Sequence, residues 1–154
     1  MKVRRVVTGH DENGRAIVTS DALMDNVITM KSGHQGCLMW VTEETPCSVD
    51  GDDDPAQQVR GIAPPPLGSV LRILEVMPGK PAFMHRTDSI DYALVLEGEC
   101  VMLLDEGEEV SLSAGDILIQ RGTWHGWTNR SDKPCRLAFI LIGAQAPAKH
   151  LHPD

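Results

Sequence analysis

The 154-residue sequence predicts one all-β domain of the sandwich or barrel type. Short apolar segments alternate with glycine-containing turns from residue 69 onward, which is typical of such folds. No segment shows a sustained helical repeat of apolar residues. A chain of this length can bury most of its apolar surface in a single core, so we expect one domain.

The N-terminal part is predicted to form a β-hairpin. Residues 3–8 and 16–19 are its strands, and the Asp11-Glu12-Asn13-Gly14 segment between them is a strong turn signal. Residues 21–36 show no clear pattern, and residues 38–42 predict a further strand. The acidic segment from 43 to 58 is expected to be a solvated loop.

A series of short strands follows three prolines at positions 64–66, which stiffen the entry to the next part of the chain. Each predicted strand is bounded by a turn that contains glycine, proline or acidic residues. The predicted strands cover residues 70–77, 90–97, 100–104, 110–112, 117–119, 125–129 and 136–142.

The composition limits the classes of partner. The net charge is −8 and the basic residues are scattered, which argues against nucleic acid, since phosphate binding requires a clustered basic surface. An anionic small ligand remains compatible with this charge, because one buried arginine can accept it.

The sequence also predicts a cytoplasmic location. The first residues carry charge without an apolar segment behind them, so we expect no signal peptide. No apolar run reaches the length of a membrane span. The four cysteines lack metal-binding spacing and are expected to be reduced, with Cys100 and Cys135 buried in strands.

Two glycine-bounded patterns contain the residues of greatest chemical interest. In the first, Gly79 is followed after five residues by His85, then by Thr87, by Asp91 and, after six residues, by Gly98. The second begins with Gly115-Asp116, continues through an apolar run and ends in Gly122-Thr123-Trp124-His125 with Asn129 after three further residues.

Together these patterns resemble the paired motifs of the cupins, which are small jelly-roll β-barrels with a site inside. The resemblance covers residues 79–142. Thr87 stands where the family has a second histidine, and Asp91 stands where it has glutamate. Gln120-Arg121-Gly122 is one residue shorter than the corresponding part of the second motif and lacks its proline.

The resemblance implies a ligand set for a divalent metal (iron, zinc, manganese or nickel) in His85, His125 and Asp91. Two imidazoles and one carboxylate are also the ligands of facial iron(II) sites, and zinc can use the same set with water. Asp91 is one methylene shorter than glutamate, so it can instead orient a histidine or cap a turn. Thr87 is expected to hold water or substrate.

Other side chains are expected near the substrate. Strand alternation places Trp127 on the same face as His125, where it can form a pocket wall, whereas Trp124 and Tyr92 should point outward. Arg72 interrupts an apolar strand and either lies at an edge or binds a carboxylate. Gln120 is a candidate for the pocket mouth, and Asn129 is expected to close a turn.

Three functions fit this site. The first is a metal-dependent enzyme that oxygenates, decarboxylates or isomerises a small organic molecule, for which an aromatic or polyketide-like compound is one candidate class. The second is a metal-free dehydratase or isomerase in which a histidine acts as general base and Asp91 tunes it. The third is a small-ligand-binding module without catalysis, because this fold serves enzymes and binders alike.

The expected organisation has three parts. Residues 1–66 form a hairpin arm and loop that pack on the barrel, residues 67–143 form the barrel core, and residues 144–154 form a loose tail containing His150 and His152. The resemblance also implies a homodimer, in which the hairpin of residues 3–19 is exchanged between subunits.

Overall fold

A computed structural model of the chain describes residues 1–152. It contains two antiparallel sheets and a separate two-stranded hairpin. Two short 3-10 turns, Pro55–Gln57 and Asp105–Gly107, are the helical elements of that range. The strands are β1 (Arg4–His10), β2 (Ala16–Leu23), β3 (Val27–Thr29), β4 (Gln35–Thr42), β5 (Ser69–Val76), β6 (Ser89–Glu97), β7 (Glu99–Leu103), β8 (Glu109–Ser113), β9 (Ile117–Arg121), β10 (Gly126–Thr128) and β11 (Cys135–Gly143).

The two sheets enclose a common aliphatic core, which confirms the predicted all-β fold. The larger sheet has the strand order β3-β4-β5-β11-β6-β9, and the smaller has the order β10-β7-β8. Strand side chains alternate between faces, so each sheet contributes one apolar face to the interior. The buried side chains from the larger sheet include Val70, Ala93, Leu137, Phe139 and Leu141, and those from the smaller sheet include Cys100, Met102, Leu112 and Trp127.

The beginning of the chain covers the outer face of the larger sheet. Met1 and Val3 pack with Met24 against a second apolar cluster that includes Cys37 and Ile73. The N-terminal ammonium group also donates a hydrogen bond to Gln35 Oε1 at 3.0 Å. The strands β4 and β5 are therefore covered on both faces.

The hairpin β1–β2 presents an apolar face to solvent. Its register pairs Arg4 with Leu23 and Thr8 with Val18, with an irregularity after Val7, so Val6, Val18 and Leu23 share one face. These side chains are 47%, 59% and 62% exposed. The two strands extend further than the sequence indicates, to His10 and Leu23.

Three features differ from the expectations. Strand β3 lies in a segment for which no element was predicted. His125, with which a predicted strand begins, instead forms an isolated β-bridge with His85 just before β10. The His152 ring stacks on Trp124 with centroids 4.3 Å apart and contacts Asp105, so this part of the expected loose tail returns to the barrel. The last two residues of that tail, 153 and 154, lie outside the described range.

The cysteines behave as structural residues. Cys100 and Cys135 are buried as predicted, Cys37 is also buried, and Cys47 is exposed. All four are free thiols. A hydrogen bond with the Cys135 thiol, together with burial, raises the pKa of Cys100, which keeps that sulfur in its unreactive thiol form.

None of the helical turns found within residues 1–152 is long and apolar enough to cross a membrane.

Candidate functional site

The structure brings His85 and His125 together. Their backbones form an antiparallel bridge, in which the His85 N–H donates to the His125 carbonyl at 2.8 Å and the His125 N–H donates back at 2.9 Å. The two ring centroids are 4.5 Å apart, and the ring planes are inclined by 55°. Side chains on directly paired residues lie on the same face, so both imidazoles point to one place.

Gly126 allows the two segments to approach this closely. A Cβ atom at this position would lie 2.6 Å from Met84 Sδ and 3.2 Å from the Ala82 methyl group. A side chain here would therefore require Met84 to move its thioether and would crowd the Ala82 methyl group and the Phe83 carbonyl. The glycine next to the second histidine thus favours the close approach of the two segments.

Backbone carbonyls determine the protonation state of both rings. His85 Nδ1 lies 3.0 Å from the Phe83 carbonyl, and His125 Nδ1 lies 2.8 Å from the Thr123 carbonyl. A carbonyl oxygen only accepts, so each Nδ1 must carry the hydrogen. In the neutral rings each Nε2 then has a free lone pair, which is the form required of a metal ligand or a general base.

Burial keeps His125 neutral. Its side chain is 4% exposed, and desolvation lowers the pKa of the ring from 6.5 to about 4. The hydrogen bond to the Thr123 carbonyl opposes this shift, and the neighbouring His85 ring adds to it. The Nε2 lone pair of His125 is therefore available at neutral pH without prior loss of a proton.

Asp91 lies on the wall of the same cavity and ends a chain of hydroxyl groups. The Ser89 hydroxyl donates to Asp91 Oδ1 at 2.6 Å, and Thr87 Oγ1 lies 2.6 Å from Ser89 Oγ. Because Ser89 uses its only hydrogen on Asp91, Thr87 must donate to Ser89. Burial raises the pKa of Asp91, while the Ser89 hydrogen bond and the nearby His85 oppose the increase.

These groups open into a cavity of about 130 Å³. Its wall is mostly apolar and aromatic, with a few polar groups on one side. Trp127 is 5% exposed and contacts His125 edge-to-face at 6.0 Å, as expected for a pocket wall. The lining consists of Ile28, Met30, Ser32, His34, Gly36, Ile62, Arg72, Ile73, Leu74, Phe83, His85, Thr87, Asp91, His125, Trp127, Phe139 and Leu141.

Arg72 lines the cavity beside the loop that contains Gly61 and Ile62. One of its terminal nitrogens donates to the Gly61 carbonyl, and its Nε is buried without a partner among residues 1–152. Burial lowers the pKa of the guanidinium, and the nearby Arg60 lowers it further. Arg72 is therefore a partly buried cation without a carboxylate partner in the part of the chain that the structure describes.

Gln120 does not line this cavity. It lies on β9 directly opposite Asp91 of β6, and it is only 2% exposed. Neither its amide nitrogen nor its amide oxygen has a hydrogen-bond partner within the described part of the chain. Its position is thus beside the carboxylate, on the same face of the sheet, rather than at the pocket mouth that the sequence indicated.

Asn129 has the structural role that the sequence predicts. Its amide nitrogen donates to the carbonyls of Val76 and Lys133, and its oxygen accepts from the backbone and hydroxyl of Ser131. The side chain therefore connects the end of β5 with the turn before β11.

Two polar residues of the site were missed by the sequence interpretation. His34 lines the cavity from the segment before β4, which has no recognisable pattern, and its Nδ1 accepts from the Met77 N–H at 3.1 Å. Burial lowers the pKa of this ring. Ser89 lies inside the first motif, and its alternation with Thr87 and Asp91 was the available signal.

The two histidines fit a divalent metal better than the complete predicted triad does. Both rings line one cavity, and neither Nε2 has a hydrogen-bond partner within residues 1–152. However, no three His, Cys, Asp or Glu side chains in that range are grouped closely enough to hold a metal ion. His85 and His125 are thus the residues of this cavity that could hold a metal ion, and coordination by these two and by Asp91 stays a prediction.

Comparison with known proteins gives a consistent result. The family model for the cupin domain matches residues 72–143, which contain the two histidines and Asp91. Phomopsin biosynthesis cluster protein C' of Diaporthe leptostromiformis is 37% identical over 150 residues, covering 92% of this chain and 78% of that protein. The cupin-domain-containing oxidoreductase fogC of Aspergillus ruber is 34% identical over 153 residues, covering 92% and 72%.

A solved structure supports the fold alone. The crystal structure of a candidate ethanolamine utilization protein Q from Salmonella typhimurium LT2 matches with a TM-score of 0.54 at 14% identity, over 94% of this chain and 99% of that chain. The barrel, the motif residues and the similarity along nearly the whole length agree, and the chain belongs to the cupin family.

Proposed function

We propose that this chain is an enzyme that acts on a small organic molecule with the help of a divalent metal held by His85 and His125. The observation that supports this most strongly is the pair of imidazoles that line one cavity, each with Nδ1 bonded to a backbone carbonyl so that Nε2 keeps its lone pair. When bound, iron, zinc, manganese or nickel would polarise a substrate oxygen or activate dioxygen or water.

The protein groups around the two histidines have distinct roles. His125 stays neutral because its pKa is about 4, so protons do not compete for its lone pair at neutral pH. The raised pKa of Asp91 lets this carboxyl hold a proton more readily than an exposed aspartate would. The hydroxyls of Thr87 and Ser89 donate in series toward Asp91, so this chain can carry a proton from a bound molecule to the carboxylate.

The relatives favour an oxidation among the reactions compatible with this site. One relative is named as an oxidoreductase, and another as a member of a biosynthesis cluster. An oxygenation of a small metabolite therefore ranks ahead of decarboxylation or isomerisation. The aromatic walls formed by Trp127, Phe139 and Phe83 suit an aromatic or polyketide-like substrate.

A metal-free acid–base enzyme is the second candidate. It is favoured by the absence of a three-ligand cluster within residues 1–152 and by the hydrogen bond that occupies Asp91 Oδ1. In this case Nε2 of His85 or His125 would remove a substrate proton, and Asp91 would return one. Dehydration or isomerisation would fit this arrangement.

Metal analysis of protein prepared without a histidine tag separates the two candidates. Metal-depleted protein is incubated in turn with iron(II), zinc, manganese and nickel, and the retained metal is measured by mass spectrometry. We expect one metal ion per chain in the wild type and in the His10→Ala control, whose histidine is exposed on the hairpin. His85→Ala and His125→Ala should each weaken binding at least about tenfold.

A wild-type protein that retains none of the four metals would overturn the metal proposal and favour the acid–base enzyme. Equal retention by the wild type and both cavity variants would place any bound metal elsewhere.

A further inference from the structure

We propose that the substrate is an anion, and that Arg72 binds its carboxylate at the mouth of the cavity while an apolar ring fills the interior. This inference rests on the proposed function, since it names the class of molecule that the same cavity accepts.

The charge environment of Arg72 indicates an anionic partner. A cation withdrawn from water is costly unless an anion or several hydrogen bonds compensate for it. Within residues 1–152 the Arg72 side chain has one hydrogen bond, to the Gly61 carbonyl, and its buried Nε has none. Arg60 lies close enough to lower the pKa of Arg72, so two cations act on this end of the cavity.

The guanidinium of Arg60, unlike that of Arg72, already has side-chain partners. It is paired with Glu43 and also donates to Gln58. Arg72 is therefore the cation whose planar, forked donor arrangement remains available for a carboxylate.

The position of Arg72 defines the orientation of the substrate. Ile62, which follows the Gly61 that Arg72 contacts, is 40% exposed, and this marks the Arg72 end as a mouth of the cavity. On the sheet, Arg72 pairs with Phe139 and Asp91 pairs with Leu141, so the two polar residues are two strands and two residues apart. Standard strand spacings place their Cα atoms about 12 Å apart, a gap that two side chains and one ring can span.

The volume and lining set the size of the apolar part. The cavity measures about 130 Å³, which is close to the roughly 150 Å³ of apolar cavities known to hold one benzene ring. Trp127 and Phe139 contact each other edge-to-face at 5.4 Å and form part of the wall. A single aromatic ring with a carboxylate therefore matches both the space and the charge, with its far end directed toward His85 and His125.

Benzoate and its neutral analogue benzamide test this inference on the full chain. Their dissociation constants are measured by calorimetry or ligand-observed NMR in the presence of EDTA, so that no metal contributes. We expect the wild type and the Arg121→Gln control, whose arginine is exposed on β9, to bind benzoate at least about tenfold more tightly than benzamide. Arg72→Gln should reduce this ratio to about one.

Arg72→Lys provides a second variant in case Arg72→Gln folds poorly. It keeps the charge but loses the fork, so an intermediate ratio is expected. Equal binding of the two probes by the wild type, no binding of either probe, or an unchanged ratio in both Arg72 variants would overturn the inference. His85→Ala should keep the preference for benzoate over benzamide. Because these measurements are made in EDTA, their result does not depend on whether the metal proposal is correct.

Discussion

The two histidines of the cavity owe their chemistry to carbonyl groups two residues earlier in the chain. Phe83 and Thr123 hold the Nδ1 hydrogens, and this leaves both Nε2 lone pairs free. The two rings differ in burial: His125 is 4% exposed, while His85 lies nearer the surface. One site thus contains a strongly desolvated imidazole beside a less buried one.

Stability should fall when the pH is lowered through the range in which only the unfolded state protonates His125. The folded pKa is about 4 and the ordinary value is 6.5. As the pH drops below 6.5, the unfolded chain takes up the proton first, and the loss levels off below about pH 4 at roughly 3 kcal/mol. Urea unfolding of metal-free wild type and His125→Gln at about pH 7 and pH 4.5 measures this term.

The difference between the two proteins isolates His125 from other titrating groups. His34 contributes in the same direction because its pKa is also lowered, whereas the raised pKa of Asp91 contributes in the opposite direction. Identical pH dependence in wild type and variant would contradict the buried, neutral state of His125.

Gln120 and Asn129 are both buried amides, and substituting them should have different effects on the free energy of unfolding. Gln120 lacks hydrogen-bond partners within residues 1–152, and Asn129 has several. Gln120→Met should therefore leave the free energy of unfolding unchanged or raise it by about 1 kcal/mol, while Asn129→Leu should lower it by roughly 2 kcal/mol or more. Urea unfolding curves compare the two, and marked destabilisation by Gln120→Met would show that its amide is in fact bonded.

The sequence was informative about the site where a residue lies inside a spaced motif. His85, His125, Asp91, Thr87 and Trp127 all line one cavity. His34 could not be found in this way, because it reaches the cavity through sheet pairing between distant segments. The position of Gln120 beside Asp91 depends on the register of β6 with β9, which no local pattern specifies.

The glycines that bound the motifs explain why the strands turn where they do. Gly98 connects β6 to β7 with φ +78°, and a Cβ atom there would lie 2.6 Å from the Pro134 carbonyl oxygen. Gly115, before β9, has φ +95°, and a Cβ atom there would have no neighbour within 4 Å among the described residues. Both need a conformation that side chains disfavour, but only Gly98 is also sterically enclosed.

Alanine substitutions should separate these two causes. Gly115→Ala carries only the conformational cost, about 1–2 kcal/mol, whereas Gly98→Ala must also move the backbone near Pro134 and should cost clearly more. Denaturant unfolding of both variants gives the comparison. Equal destabilisation would mean that the close approach at Gly98 is relieved without cost.

Strands with clear alternation and glycine turns were predictable to within a few residues, as for β5, β6 and β11. Strand β3 has three residues, too few for alternation to be recognised, and it forms because β4 offers an edge to pair with. The sequence predicts no strand at His85. Tertiary pairing with His125, rather than local preference, determines its conformation.

The hairpin β1–β2 is the feature most suited to joining two copies of the chain. On its exposed face the apolar side chains of Val6, Val18 and Leu23 lie beside the Arg4–Asp21 ion pair and have no cover within residues 1–152. Such a face on an otherwise acidic molecule favours association. The homodimer stays a prediction, and this face of the hairpin is its expected interface.

A charge-insertion experiment tests the dimer. Val18→Lys combined with Leu23→Lys should convert a dimer into a monomer, whereas Ile117→Lys with Ile119→Lys, on the exposed face of β9, should leave it intact. Light scattering coupled to size exclusion measures the masses. A monomeric wild type, or dissociation only with the β9 pair, would contradict the assignment of the hairpin.

The barrel as a whole converts two motifs, about forty residues apart in the sequence, into one pair of imidazoles. Nitrogen-15 NMR of histidine-labelled, metal-free protein titrated with zinc tests this pairing most directly. We expect both rings to carry hydrogen on Nδ1, and both Nε2 resonances to shift together at one equivalent of zinc. Either ring carrying hydrogen on Nε2, or a zinc-induced shift of one ring alone, would contradict the shared site.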